Sequence, residues 1–214
     1  MERMIILPLA LLTLSASPQQ PVELKPMDVD FMVRGYFYAS SQGPEHLDGY
    51  GGWGGSGNAS VRSAQPSSAS GLEIAVDTLN VVPLDSVYRG QRVWLRNHGP
   101  DTVFFPAQDS RLGMWTQALR TDSFADIEYL PSSWCGNSYH TLYLAPGEEW
   151  SFVMPRYEGR ILTRLRLVVE YKKDPEDETA SLFFGPTFPG RVNKAQFSRK
   201  QGHQPQGIMD PYND

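Results

Sequence analysis

Apolar and polar residues alternate with a period of two over much of the chain from Leu72 onward. That spacing sends successive side chains to opposite faces of a β-strand. Leu72, Ile74, Val76 and Thr78 fall on one side, with Glu73, Ala75, Asp77 and Leu79 on the other. "SVYRGQRVWLR", Ser86 to Arg96, alternates again: Val87, Val93 and Leu95 oppose Tyr88, Arg92, Trp94 and Arg96. "NHGPD" then breaks the pattern with turn residues. Thr102 to Phe105 is a short β-prone run. Gly113 to Arg120 fits helix or strand and is assigned strand, because turn residues bound it closely. Tyr139 to Leu144 and Trp150 to Met154 alternate on either side of "APGE", which predicts a β-hairpin. Ile161 to Tyr171 is the longest predicted strand, with Leu165, Leu167 and Val169 on one face and Arg164, Arg166 and Glu170 on the other. The acidic loop "KDPEDE" follows as a solvated tip, then a short strand from Ser181 to Phe184. No helical period of useful length appears.

Roughly seven short strands with turn signals every eight to twelve residues predict an all-β fold. The expected form is a two-sheet antiparallel sandwich of immunoglobulin-like type, with a small β-barrel as the alternative. Upstream, Val29 to Tyr38 reads as a further strand, with Phe31, Val33, Gly35 and Phe37 on one side. From Ser40 to Gly71 the composition turns to Gly, Ser and Ala, which predicts a flexible linker with Tyr50 and Trp53 exposed in it. Ile5 to Leu14 is almost wholly apolar behind a short polar start, as in a signal peptide, and is too short to span a bilayer. The expected organisation is a signal peptide at 1–16, an N-terminal extension with linker at 17–71, the β-sandwich at 72–200 and a disordered tail at 201–214.

Composition adds limits. The net charge of −5 argues against nucleic acid as a partner. One cysteine makes no internal disulfide, so burial must supply the stability of an exported domain. No later segment is apolar enough for a membrane helix. The chain resembles a set of uncharacterised exported bacterial proteins with a single β-rich domain, through the tract "SSWCGNSYHTLYLAPGEEWSFVMPRYEG" and over the stretch from Leu72 to Lys200. The resemblance implies export, to the periplasm or the medium, and a β-rich domain. It implies no activity and no residue roles.

The candidate chemistry centres on Cys135 and His140. Four residues separate them, a spacing that lets both reach one copper or zinc ion, with His98 as an upstream ligand. Against this stands a structural corner, with Cys135 packed as a small hydrophobe and His140 bonded to backbone. A third reading makes Cys135 a nucleophile, although no helix start or catalytic signature accompanies it. Trp94, Tyr139 and Tyr143 are candidates for a contact surface, since strand faces of Tyr, Trp and Arg suit protein or glycan partners. The leading expectation is an exported, non-enzymatic interaction or structural module at the cell exterior or in the periplasm that needs no cofactor. A copper- or zinc-binding domain is the alternative, and a Cys135-dependent enzyme the third.

Overall fold

The computed structural model describes residues 23–47, 52–64, 70–207 and 209–214. The expected signal peptide at 1–16 and Tyr50 lie outside them. The first strands are β1 (Val33–Arg34), β2 (His46–Leu47), β3 (Val61–Arg62), β4 (Leu72–Val76), β5 (Val82–Leu84) and β6 (Tyr88–Asn97). Next come β7 (Val103–Gln108), β8 (Arg111–Leu112), β9 (Met114–Arg120), β10 (Ser123–Asp126), β11 (Glu128–Tyr129) and β12 (Ser132–Ser133). The last are β13 (Tyr139–Leu144), β14 (Glu148–Pro155), β15 (Ile161–Tyr171), β16 (Ser181–Phe184), β17 (Phe188–Val192) and β18 (Tyr212–Asn213).

The strands build two layers, an all-β antiparallel sandwich. One layer has the order β3-β14-β6-β4, with β5 also on β6. The other has β10-β9-β15-β16, with β17 also on β15. The sheet β2-β13-β7-β8 extends this second layer. Phe104 and Lys172 join the two by reciprocal backbone bonds of 3.0 and 2.7 Å. No described sheet closes on itself, so the barrel alternative is not realised. The alternation read from sequence sets the inward faces. Val93 and Leu95 of β6, Trp150 and Met154 of β14, and Leu165, Leu167 and Val169 of β15 are all buried. In β9 the buried set is Met114, Thr116 and Ala118, and the predicted strand is realised over Met114–Arg120.

One expected pairing needs correction. Tyr139–Leu144 and Trp150–Met154 are not a hairpin. β13 pairs with β7 and β2, whereas β14 pairs with β6 and β3. The turn at Ala145–Gly147 is an arch from one layer to the other. Both strands carry a strong apolar face, and the arch lets Leu142 and Leu144 meet Trp150 and Phe152 across the core rather than side by side. Gly147 takes φ +76°, a left-handed conformation that costs glycine little, and donates its N–H to Asn97 O at 2.8 Å.

The described part of the N-terminal extension is built into the sandwich. Residues 24–40 form a strap along it. Val33, Phe37 and Ala39 are buried in the core, and Phe37 meets Phe152 edge-on at 5.3 Å. The Trp150 indole N–H donates to Ser40 O at 2.8 Å. Residues 52–64, expected to be linker, dock mainly by polar contacts. Gly54 N–H donates to Asp109 at 2.8 Å, Ser110 Oγ donates to Gly54 O at 2.7 Å, and buried Ser60 bonds Glu148 at 3.0 Å. A composition of small polar residues hides such docking, because most of it is carried by hydrogen bonds; Trp53, expected to be exposed, is half-buried against the His140 ring. The segment read as a tail carries β18, which pairs with β12.

The strap's burial has a measurable consequence. Phe37→Ala is expected to lower the unfolding free energy by about 3–5 kcal/mol, as for a buried core aromatic. In urea denaturation followed by tryptophan fluorescence, a loss below about 0.5 kcal/mol, typical of a surface position, would mean that the strap is not part of the core.

Candidate functional site

The residues singled out by sequence do not gather. His98 bonds Glu73 at 2.9 Å and belongs to a polar network in which Arg96 bridges Glu73 and Glu149 at 3.2 and 2.7 Å. His140 is fully buried in β13. Its ring stacks on Trp53 with centroids 4.2 Å apart, Nδ1 faces Ser138 O at 3.3 Å, and Nε2 lies 3.6 Å from Glu45. Cys135 is half-buried and leads into the 3₁₀ turn Gly136–Ser138. Among the described residues no three His, Cys, Asp or Glu side chains stand together where they could hold a metal ion. Trp94 lies on the outer side of β6 under the Arg96 guanidinium, 5.1 Å from its ring centroid. Tyr139 and Tyr143 belong to the other layer, and the Tyr139 hydroxyl is occupied by Ser133 O at 3.1 Å. The three aromatics therefore share no face.

A different site emerges between the strap and the β5–β6 hairpin. The hairpin turns through Asp85 and Ser86, both at positive φ (49° and 59°), the arrangement of a type I′ turn whose twist matches the strands. The strap is stitched beside it. Lys25 N–H donates to Val87 O at 2.8 Å, Arg89 N–H to Lys25 O at 2.9 Å, and Glu158 N–H to Met27 O at 3.0 Å. Between the two runs a cleft of about 820 Å³. Met27, Val29, Phe31, Tyr36 and Tyr38 form its strap wall, and Leu84, Asp85 and Tyr88 stand opposite. Val153 and Pro155 of β14 also line it, as do Arg34 and Gln201. Tyr38, Val87 and Tyr88 are each about two-fifths exposed at or beside its rim. The density of aromatics in "VRGYFY" was the available signal, but reading the extension as separate from the domain hid the opposing wall.

Beneath the cleft lies a buried carboxylate. Glu128, 1% exposed, accepts hydrogen bonds at 2.7 Å from the hydroxyls of Tyr36 and Tyr157, and at 2.8 Å from the backbone N–H of Thr116. Burial outweighs these donors and raises the Glu128 carboxyl above the ordinary range. Burial, then the neighbouring carboxylate, pushes both tyrosines well above theirs. The ring of Tyr36 reaches the cleft while its hydroxyl is held in the interior. Comparison with protein-family models, curated proteins and solved structures finds no match to this chain. No helix among the described residues is long and apolar enough to cross a membrane.

The raised Glu128 carboxyl gives a pH signature. The folded group holds its proton to higher pH than the unfolded one, whose pKa is about 4.3. Its contribution to stability is complete below that value and is lost as pH rises through the folded pKa. In urea denaturation across a pH series, the stability of the parent relative to Glu128→Gln is expected to fall from about pH 4 upward and then level off. A relative stability that grew with pH would mean a carboxylate held ionised by its three donors.

Proposed function

We propose that the protein is an exported, non-enzymatic binding module whose ligand site is the cleft between the strap and the β5–β6 hairpin. The observation that carries this reading is the composition of the cleft. It is apolar and aromatic along its length, has one cation and one anion, Arg34 and Asp85, among its lining residues, and is of the size ligand pockets have. Its rim keeps Tyr38 and Tyr88 in solvent, where amphipathic rings suit contact with a partner's apolar group. Export is supported by the apolar stretch Ile5–Leu14, and extracellular or periplasmic protein is the partner class that fits both features.

The probe for this reading is 1-anilinonaphthalene-8-sulfonate, an aromatic body with one anionic group. The parent is expected to bind it saturably at one site, with enhanced and blue-shifted emission. The double variant Tyr38→Ala/Tyr88→Ala, altered only at half-exposed rim positions, should bind at least fivefold more weakly with unchanged circular dichroism. Absence of a saturable single site in the parent would overturn the proposal.

A further inference from the structure

The segment Asp210–Asp214 docks against β12. β18 pairs antiparallel with β12, with Tyr212 opposite Ser133 and Asn213 opposite Ser132. Trp134 continues the contact: its backbone N–H donates to Pro211 O at 2.9 Å and its indole N–H to Asp210 O at 3.3 Å. The Tyr212 ring lies within 5.0 Å of the Arg34 guanidinium and 5.1 Å of that of Arg111. Its hydroxyl donates to Asp109. Asp214 pairs with Arg34 Nε at 3.3 Å. Each contact is a known way of recognising a peptide: strand addition, cation over ring, and guanidinium to carboxylate.

The body of the domain builds this site independently of the segment that fills it. Arg111 is 2% exposed and is oriented by Gln108 and by Pro131 O at 3.2 Å. Asp109 sits in a second type I′ turn, with Asp109 and Ser110 at φ 48° and 62°, and is fixed by Gly54 N–H. The fit of the segment is incomplete. Arg34 Nη2 and Tyr129 Oη are both buried without a hydrogen-bond partner among the described residues, and they sit side by side where β1 pairs with β11. Asp214 lies near enough to help keep the Tyr129 hydroxyl protonated, after burial, yet forms no well-made bond with it. Buried donors left open are costly, and an acceptor from a better-fitting ligand would satisfy them. The preceding stretch, 204–207 with Met209, is exposed, and it braces only the start of the anchored segment, through His203 and the Gln206 N–H, which bond Asp210 at 2.8 and 3.1 Å.

We propose that β12 with Arg34, Arg111 and Asp109 is a recognition site for an extended segment of a protein partner carrying an aromatic residue two positions before an acidic one, a site that the chain's own Asp210–Asp214 fills in cis. The clamp shares Arg34 with the cleft lining, and it is told apart from the cleft by its readout, the gain of peptide binding when Tyr212 is removed. Acidic character is favoured because three cations, Arg34, Arg111 and Lys200, whose Nζ lies 4.9 Å from the Tyr129 ring centroid, outnumber two fixed anions, Asp109 and Glu170.

The test uses a fluorescein-labelled peptide with the sequence of residues 205–214, read by anisotropy against the full chain. Tyr212→Ala, which frees the clamp, should bind it at least tenfold more tightly than the parent, and adding Arg34→Gln should abolish the gain. The same peptide with alanine in place of its tyrosine should not bind. If Tyr212→Ala does not fold, Asp214→Ala serves, with a gain of at least threefold. A folded, loosened variant that binds neither peptide, or both equally, overturns the proposal. A concentration-dependent dimer of the parent without a gain in peptide binding would assign the site to exchange between copies and overturn it as well.

Discussion

The carboxylate of Glu128 is the tie on which the architecture of the candidate site depends. It draws donors from separate parts of the chain: Tyr36 in the strap, Thr116 in β9, and Tyr157 beyond β14. Removing a carboxyl from water is expensive, and hydrogen bonds to it return about 1.5–3 kcal/mol each. A site of this kind holds a unique arrangement because every substitute geometry strands the acid. Here the arrangement fixes the strap against the sandwich, and the strap is one wall of the cleft. Cleft wall and buried polar tie are thus two sides of the same residue, Tyr36.

The arch at Ala145–Gly147 makes the complementary contribution. It sends β13 and β14 into opposite layers, so the apolar faces of two sequence-adjacent strands close the core from both sides. Asn97 braces the crossing by donating to Leu144 O at 2.9 Å and accepting from Gly147 N–H through its own carbonyl. With β14 committed to the first layer, its far end, Val153 and Pro155, becomes part of the cleft lining. The strap enters the same core through Phe37 and through the Trp150 indole bond to Ser40.

Much of the fold was legible because each strand keeps one buried face. Ile161–Tyr171 and Ser181–Phe184 have the bounds that alternation predicts, and Met114–Arg120 is strand because Met114, Thr116 and Ala118 need the interior. What alternation does not carry is which strands pair. A turn with Pro-Gly serves a hairpin or an arch equally well, and only the two-layer packing decides between them. β17 escaped because "FPGRV" holds Pro and Gly, although Phe188 and Val192 are buried. The site was less legible than the fold. Cys135 and His140 attract attention by residue type, yet His140 is spent on Trp53, Ser138 and Glu45. The cleft is assembled from Phe31, Tyr36 and Tyr88, residues nearly sixty positions apart at the extremes, and Glu128 is a single acid beside a tyrosine with no motif around it.

Native-state hydrogen exchange at increasing low denaturant tests directly whether the strap, and with it the cleft, is a permanent part of the domain. The decisive amides are Gly35, bonded to Tyr129 O at 2.9 Å, and Leu112, bonded to Phe37 O at 2.9 Å. Both should exchange only through global unfolding, with the same free energy and denaturant dependence as the amide of buried Leu167. Exchange of Gly35 and Leu112 through a smaller opening that leaves Leu167 protected would contradict the account, because the wall of the cleft would then come and go while the sandwich stayed folded.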